Sequence, residues 1–384
     1  MKKLLAIAVI FALVTGAAFA EWSVSGVVET RAAVGNAWIA GSEEVSFRGD
    51  LDVARLVISG ANDEGTLSGT IRYDNWNVGI YTGQGGNNLP TDHTHTASWE
   101  QIPRLYMAFV WWRPSDMFGV FMGKQSDGIF ETAKIVAHNF SGGGQVGSTI
   151  ESYNYHGSAW GPAFSTGWCG LALEITPIDG LAIRLGTGGI NNSGNIPIAD
   201  WFQSNLYTQA VYDADFGTIS LVYAMGANKS GNFAVSFHSA SIVDSLAFEV
   251  SFAYRLKGDG ALSQDPMWFG FGVAYDMDDF KIKARARMAM GGEGANDGRL
   301  YIQGDLLPSY NLGDFEVRCL IRGQFEKANS NVDGDFGLAI NPYMVMPLGG
   351  GKFTAGIMYQ NDKFAGGAFV NGRWFINAGL SLSL

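Results

Sequence analysis

Phe280-Lys281-Ile282-Lys283-Ala284-Arg285-Ala286-Arg287-Met288-Ala289-Met290 decides how the rest of the chain is read. Phe280, Ile282, Ala284, Ala286, Met288 and Met290 alternate with Lys281, Lys283, Arg285, Arg287 and Ala289. At about 100° per residue a helix would scatter the four cations around its axis, whereas a pleated strand sets them all on one side. Lysine and arginine stay out of cores unless they are paired. A strand with one apolar and one cationic face therefore fits where hydrocarbon lies on one side and water on the other. The wall of a transmembrane β-barrel is such a place.

The N-terminus sets the compartment. Lys2 and Lys3, the apolar run Leu4 to Val14 and the small-residue site Ala18-Phe19-Ala20 read as a secretory signal over 1–20, with Glu21 first in the mature chain. The longest later apolar run, Leu105 to Trp112, is far short of the ~20 residues of a spanning helix. Losing Lys2 and Lys3 moves the formal charge from −11 to −13, and an acidic exported chain gives no reason to expect nucleic acid. With 52 Gly, 25 Phe, 14 Tyr and 11 Trp but only 10 Pro, the composition suits many strands and turns. No linker or composition shift divides residues 21–384, which read as one domain. Cys169 and Cys319 fall on the apolar parity of separate strands and are expected as free thiols.

The chain can be cut throughout into short turns and longer loops. The short turns are Ala61 to Gly65, Pro114 to Met117, Pro177 to Gly180, Ala214 to Gly217, Ser241 to Asp244, Asp276 to Asp279, Asn311 to Asp314 and Pro347 to Gly351. Several have an aromatic just beyond, as at Phe118, Phe280, Phe315 and Phe353, which suits an interfacial girdle. The longer connections are Val34 to Glu43, Thr82 to Gln101, Ser126 to Thr166, Thr187 to Phe202, Ala227 to Gly231, Lys257 to Pro266, Gly291 to Gly298, Lys327 to Gly334 and Asn361 to Gly367. Eight turns and nine loops predict an all-β, antiparallel up-and-down barrel of eighteen strands, with sixteen as the alternative. Both termini then lie on the periplasmic side. A slip of phase near Arg55 predicts a bulge. Leu105 to Trp112 is apolar on both faces, so its lumen side needs a cover, for which the long third loop is the candidate.

The chain closes on Asn377-Ala378-Gly379-Leu380-Ser381-Leu382-Ser383-Leu384. This stretch resembles the terminal-strand signal read by barrel assembly machinery, with Leu384 where an aromatic is commonest. Together with the leader and the loop pattern, it makes the chain resemble a bacterial outer-membrane porin over its whole mature length. The resemblance implies an outer-membrane location, a channel for ions and small hydrophilic solutes, a third loop folded into the lumen and, commonly, a homotrimer.

On that footing the loop 126–166 supplies Asp127, Glu131 and Lys134, with His138 and Glu151, as candidates for one side of a constriction. Ile129, Phe130, Ile135, Val136 and Phe140 in the same loop need burial, which favours an inward course. The wall supplies Arg72, Arg184, Lys281, Lys283, Arg285, Arg287, Arg318 and Arg322 as the other side, with Asp305 placed to neutralise Lys283 or Arg285. Acids facing cations across water would set up a transverse field, and the wall's excess of cations leans the expected ion preference toward anions.

Other motifs have plainer readings. Asp92-His93-Thr94-His95 is too small a donor set to define a metal site, and Asn329 to Gly334 reads as a polar hairpin tip. No cofactor is expected, and five scattered histidines offer no catalytic constellation, so an enzyme is not expected. Two rival functions remain: a surface structural protein or adhesin for which the barrel is an anchor, and a sugar-selective channel using loop aromatics such as Trp38, Tyr81, Trp99 and Trp201.

Overall fold

The computed structural model describes residues 21–36, 45–82, 104–125, 130, 168–188, 206–225, 231–256, 267–291, 297–327, 329–361 and 372–383. The leader and most of the 126–166 loop lie outside them. The first six strands are β1 (Glu21–Gly35), β2 (Ser46–Ala61), β3 (Leu67–Thr82), β4 (Arg104–Ser115), β5 (Phe118–Gln125) and β6 (Trp168–Ile178). The next six are β7 (Leu181–Gly188), β8 (Leu206–Ala214), β9 (Gly217–Met225), β10 (Gly231–Val243), β11 (Leu246–Leu256) and β12 (Met267–Met277). The last six are β13 (Phe280–Met290), β14 (Leu300–Asn311), β15 (Glu316–Lys327), β16 (Asp335–Leu348), β17 (Gly351–Gln360) and β18 (Arg373–Ser383).

Each strand pairs antiparallel with its sequence neighbours, and β1 pairs with β18, so the eighteen-stranded sheet closes on itself. Closure leaves no sheet edge, which is the condition for placing strands in hydrocarbon, where an unpaired N–H or C=O has no water to bond. Asn36 seals the loop end of the β1–β18 seam: its Oδ1 accepts from the Trp374 N–H at 2.7 Å and its Nδ2 donates to the Gly372 carbonyl at 3.4 Å. Asn36→Ala is expected to remove about 1–2 kcal/mol by leaving these buried backbone groups without their partner. Urea unfolding of the detergent-solubilised protein measures it.

The outward face is apolar at alternate positions, with Leu221, Val250, Phe271, Ile302, Ile357 and Ile376 all exposed. Near the short-turn rim it carries Trp112, Phe118, Tyr212, Phe216 and Tyr310, rings that suit the polar boundary of a bilayer. The intervening positions point inward, and many are polar, Ser220, Ser251, Gln303 and Asp305 among them. All eight short turns predicted from the sequence are present. At the β6–β7 turn, Gly180 has φ +76° and a Cβ would meet the Asp213 carbonyl at 2.3 Å, so only glycine fits. The phase slip expected near Arg55 stands slightly earlier: the β1–β2 register shifts between Glu29 and Thr30, opposite Val53 and Leu51. Tyr81, expected in a loop, lies in β3.

Candidate functional site

Direct partners in an antiparallel pair share a face, with Cβ atoms about 4.5–5.5 Å apart, so the pairing maps the inner wall residue by residue. One row crosses six strands. His238, Glu249, Gly272, Arg285, Asp305 and Arg322 stand each opposite the next from β10 to β15. His238 Nδ1 lies 3.8 Å from Glu249 Oε2.

Asp305 is the hub of this wall. Arg285 Nε donates to its Oδ2 at 2.5 Å, Arg322 Nε donates to its Oδ1, and Arg322 Nη2 reaches Oδ2 at 3.2 Å. Gln303 Nε2 donates to both carboxylate oxygens at 3.1 Å. The Gln303 Oε1 in turn accepts from Arg287 Nη2 and from the Tyr301 hydroxyl, each at 2.9 Å. The side chains of Arg285, Asp305 and Arg322 are at most 1% exposed. Charge-assisted bonds of this kind are short and directional, and they fix the guanidinium planes against the wall.

Of the cations read as one basic stripe, Lys281 and Arg285 thus bond carboxylates and Arg287 bonds Gln303. Lys281 Nζ reaches Asp276 at 2.7 Å near the short-turn rim, and Arg318 Nη2 reaches Glu316 at 2.5 Å. Asp305 takes Arg285 rather than Lys283, because Lys283 stands two residues lower, opposite Leu307 and Ala274, where it is exposed to the lumen. Arg72 is on the inner face opposite Val57 and Met107. Asp127, Glu131 and Lys134 lie outside the described residues, as does the Asp92 to His95 segment.

A second cluster spans β4 to β9. Arg184 Nε donates to Glu174 Oε2 at 2.7 Å and Arg113 Nη2 donates to Glu174 Oε1 at 3.2 Å. Arg184 Nη1 reaches Gln209 Oε1 at 2.9 Å, and Gln209 Nε2 reaches the Ser220 hydroxyl at 3.3 Å. Arg113 belongs to β4 and Glu174 to β6. The pair meets across Gly119 of β5, where a Cβ would come within 3.3 Å of the Arg113 side chain. The Arg113 guanidinium lies 4.1 Å from the centre of the Trp111 ring, a cation–π distance.

Toward the long-loop end the inner wall turns apolar. Phe121, Ala172, Val222, Ala234, Ala253 and Trp268 form one buried cluster, joined by Phe130. Phe130, the one described residue of 126–166, is fully buried, with its ring against Ala172 and Gly186 and 5.4 Å from the Tyr207 ring. Phe109 and Trp111 of the doubly apolar β4 pack on the same cluster.

Sequence reading missed Arg113, Glu174, Gln209, Gln303, Tyr301 and the His238–Glu249 pair as site residues. Strand parity places several of them inward: Glu174 is out of phase with Leu171, Leu173 and Ile175. Their partners lie on other strands, 61 residues apart in the case of Arg113 and Glu174, and only the closed register brings them together.

No protein-family model and no curated protein sequence matches the chain. Solved structures do match in shape. A BenF-like porin from Pseudomonas fluorescens Pf-5 is similar with TM-score 0.57 and 12% identity, covering 96% of this chain and 100% of that one. OpdK from Pseudomonas aeruginosa, solved with vanillate, gives 0.54 at 11% identity over 94% and 98%. OprD from the same organism gives 0.53 at 9% over 95% and 96%. The fold is that of bacterial outer-membrane porins.

Proposed function

We propose that the chain is an outer-membrane porin: a water-filled channel in the bacterial outer membrane for passive diffusion of ions and small hydrophilic solutes. The observation that carries this reading is the closed eighteen-stranded wall, apolar outside and laced with ion pairs inside. A lumen bounded by eighteen strands is wider than wall side chains alone can fill. A structural neighbour described as a BenF-like porin supports the same reading. Reconstituted in a planar bilayer, the purified protein should give stable stepwise conductance. A correctly folded protein that never conducts would favour the anchor or adhesin reading instead.

Residues 126–166 enter the lumen in this proposal and face Asp127, Glu131 and Lys134 toward a wall that includes Arg72, Arg184, Lys281, Lys283, Arg285, Arg287, Arg318 and Arg322. Two features support it. Phe130 is buried against the inner wall, and Ala234, Ala253 and Trp268, inward-facing on β10, β11 and β12, are at most 1% exposed. With cations in excess on the wall, a weak anion preference is expected from the reversal potential across a salt gradient. Residues 1–20 serve as the export signal. The outward Leu380 and Leu382 of β18 suit recognition by barrel assembly machinery, and a homotrimer is the assembly that cross-linking in membranes should reveal.

A further inference from the structure

The wall carries the same device twice: a carboxylate gripped by two arginines, once at Asp305 and once at Glu174. The two differ in access. Asp305 and its arginines are sealed, whereas the Arg113 side chain is 52% exposed and lies at the short-turn end of the lumen, below Phe130. Glu174 itself is 11% exposed, with both oxygens engaged, one by each arginine. A guanidinium has five N–H donors in a planar fork, and a carboxylate that binds it occupies the position a passing anion would take.

Resting on the porin reading, we propose that Glu174 is a specificity-determining residue of the channel. It is a built-in counter-ion that holds Arg113 over Trp111 and holds down the anion preference that Arg113 and Arg184 confer together. The local structure is arranged for this contact. Gly119 leaves the strand between them bare, so Arg113 can cross it to Glu174, and Gln209 with Ser220 fixes Arg184 from the far side. A solvated glutamate free to swing would be screened within a Debye length of about 8 Å at physiological salt. One clamped beside the ion path keeps its charge at a fixed distance from every permeating ion.

The test is the reversal potential of single channels in a tenfold potassium chloride gradient, with strand content by circular dichroism as the folding control. Glu174→Gln keeps the shape but removes the charge and one of the two acceptor oxygens. The chloride-to-potassium permeability ratio should rise roughly two- to threefold, the weight of one unit charge about 6 Å from each ion in water, counted for both ions and screened by salt. Arg113→Gln, at a half-exposed site, should lower the ratio by a similar factor, and the double variant should return close to the wild type. A Glu174→Gln channel with unchanged or more cationic reversal potential overturns the proposal. If that variant does not fold, an unchanged ratio in Arg113→Gln overturns it. Absence of any conductance from the folded wild type would instead remove the porin reading beneath it.

Discussion

Asp305→Asn is expected to lower the stability of the barrel by about 3–5 kcal/mol, because it leaves buried guanidiniums without the charge that compensates them. Asparagine has nearly the shape of aspartate, so packing is kept while the charge and one of the two acceptor oxygens are lost. Arg285 and Arg322 bond directly to the Asp305 carboxylate, and Arg287 is tied to it through Gln303. The measurement is the urea midpoint of the protein in lipid or detergent, followed by tryptophan fluorescence and by the mobility difference between heated and unheated samples. Replacing the whole triad, as Arg285→Met with Asp305→Leu and Arg322→Met, should recover part of the loss, since it removes the two guanidiniums that bond the carboxylate directly and leaves Arg287 held by Gln303. A midpoint for Asp305→Asn equal to the wild type would show that the carboxylate does not neutralise its arginines.

Excising residues 131–165, which leaves β5 and β6 whole, should raise single-channel conductance severalfold if that segment narrows the lumen. The inward-facing Ala234, Ala253 and Trp268 would then meet water. Phe130→Ala is the milder form of the same experiment. It empties the contact with Ala172, Gly186 and Tyr207, and the channel should become noisier as well as wider. Removing a buried phenylalanine typically costs about 3–5 kcal/mol, enough to loosen the anchorage of the segment. Conductance unchanged in both variants would place the constriction elsewhere.

How much of this could be read from the chain follows from the range over which each signal acts. Period-2 alternation is local, and β13 runs from Phe280 to Met290 with Lys281, Lys283, Arg285 and Arg287 on the inner parity, as the opening stretch implied. Turn chemistry is local as well, so the short connections at Gly180, at Asp278 and Asp279, and at Gly350 were legible. Ion-pair partners were not, apart from Arg285 and Asp305 on adjacent strands. Which acid meets which base depends on a register that a slip of two residues would change without altering either face, as the choice of Arg285 over Lys283 shows. Glu174 was hidden for a further reason. Its bond to Arg113 skips a strand, and nothing in a list of residues marks Gly119 as the gap through which two side chains touch. The alanines of the inner apolar row were ambiguous because alanine is at home on either side of a membrane wall.

The seam between β1 and β18 ties the first residues of the barrel to the last, with the Ser381 hydroxyl donating to Glu29 across 352 positions of chain. Such a ring cannot finish until its final strand has arrived. A chain cut short anywhere presents two raw edges, each a template for pairing with another copy. Contacts of this span also carry the largest loop-closure entropy, so assembly is slow compared with that of local folds. On the porin reading, the polypeptide therefore has to stay unpaired until β18 is in place to meet β1.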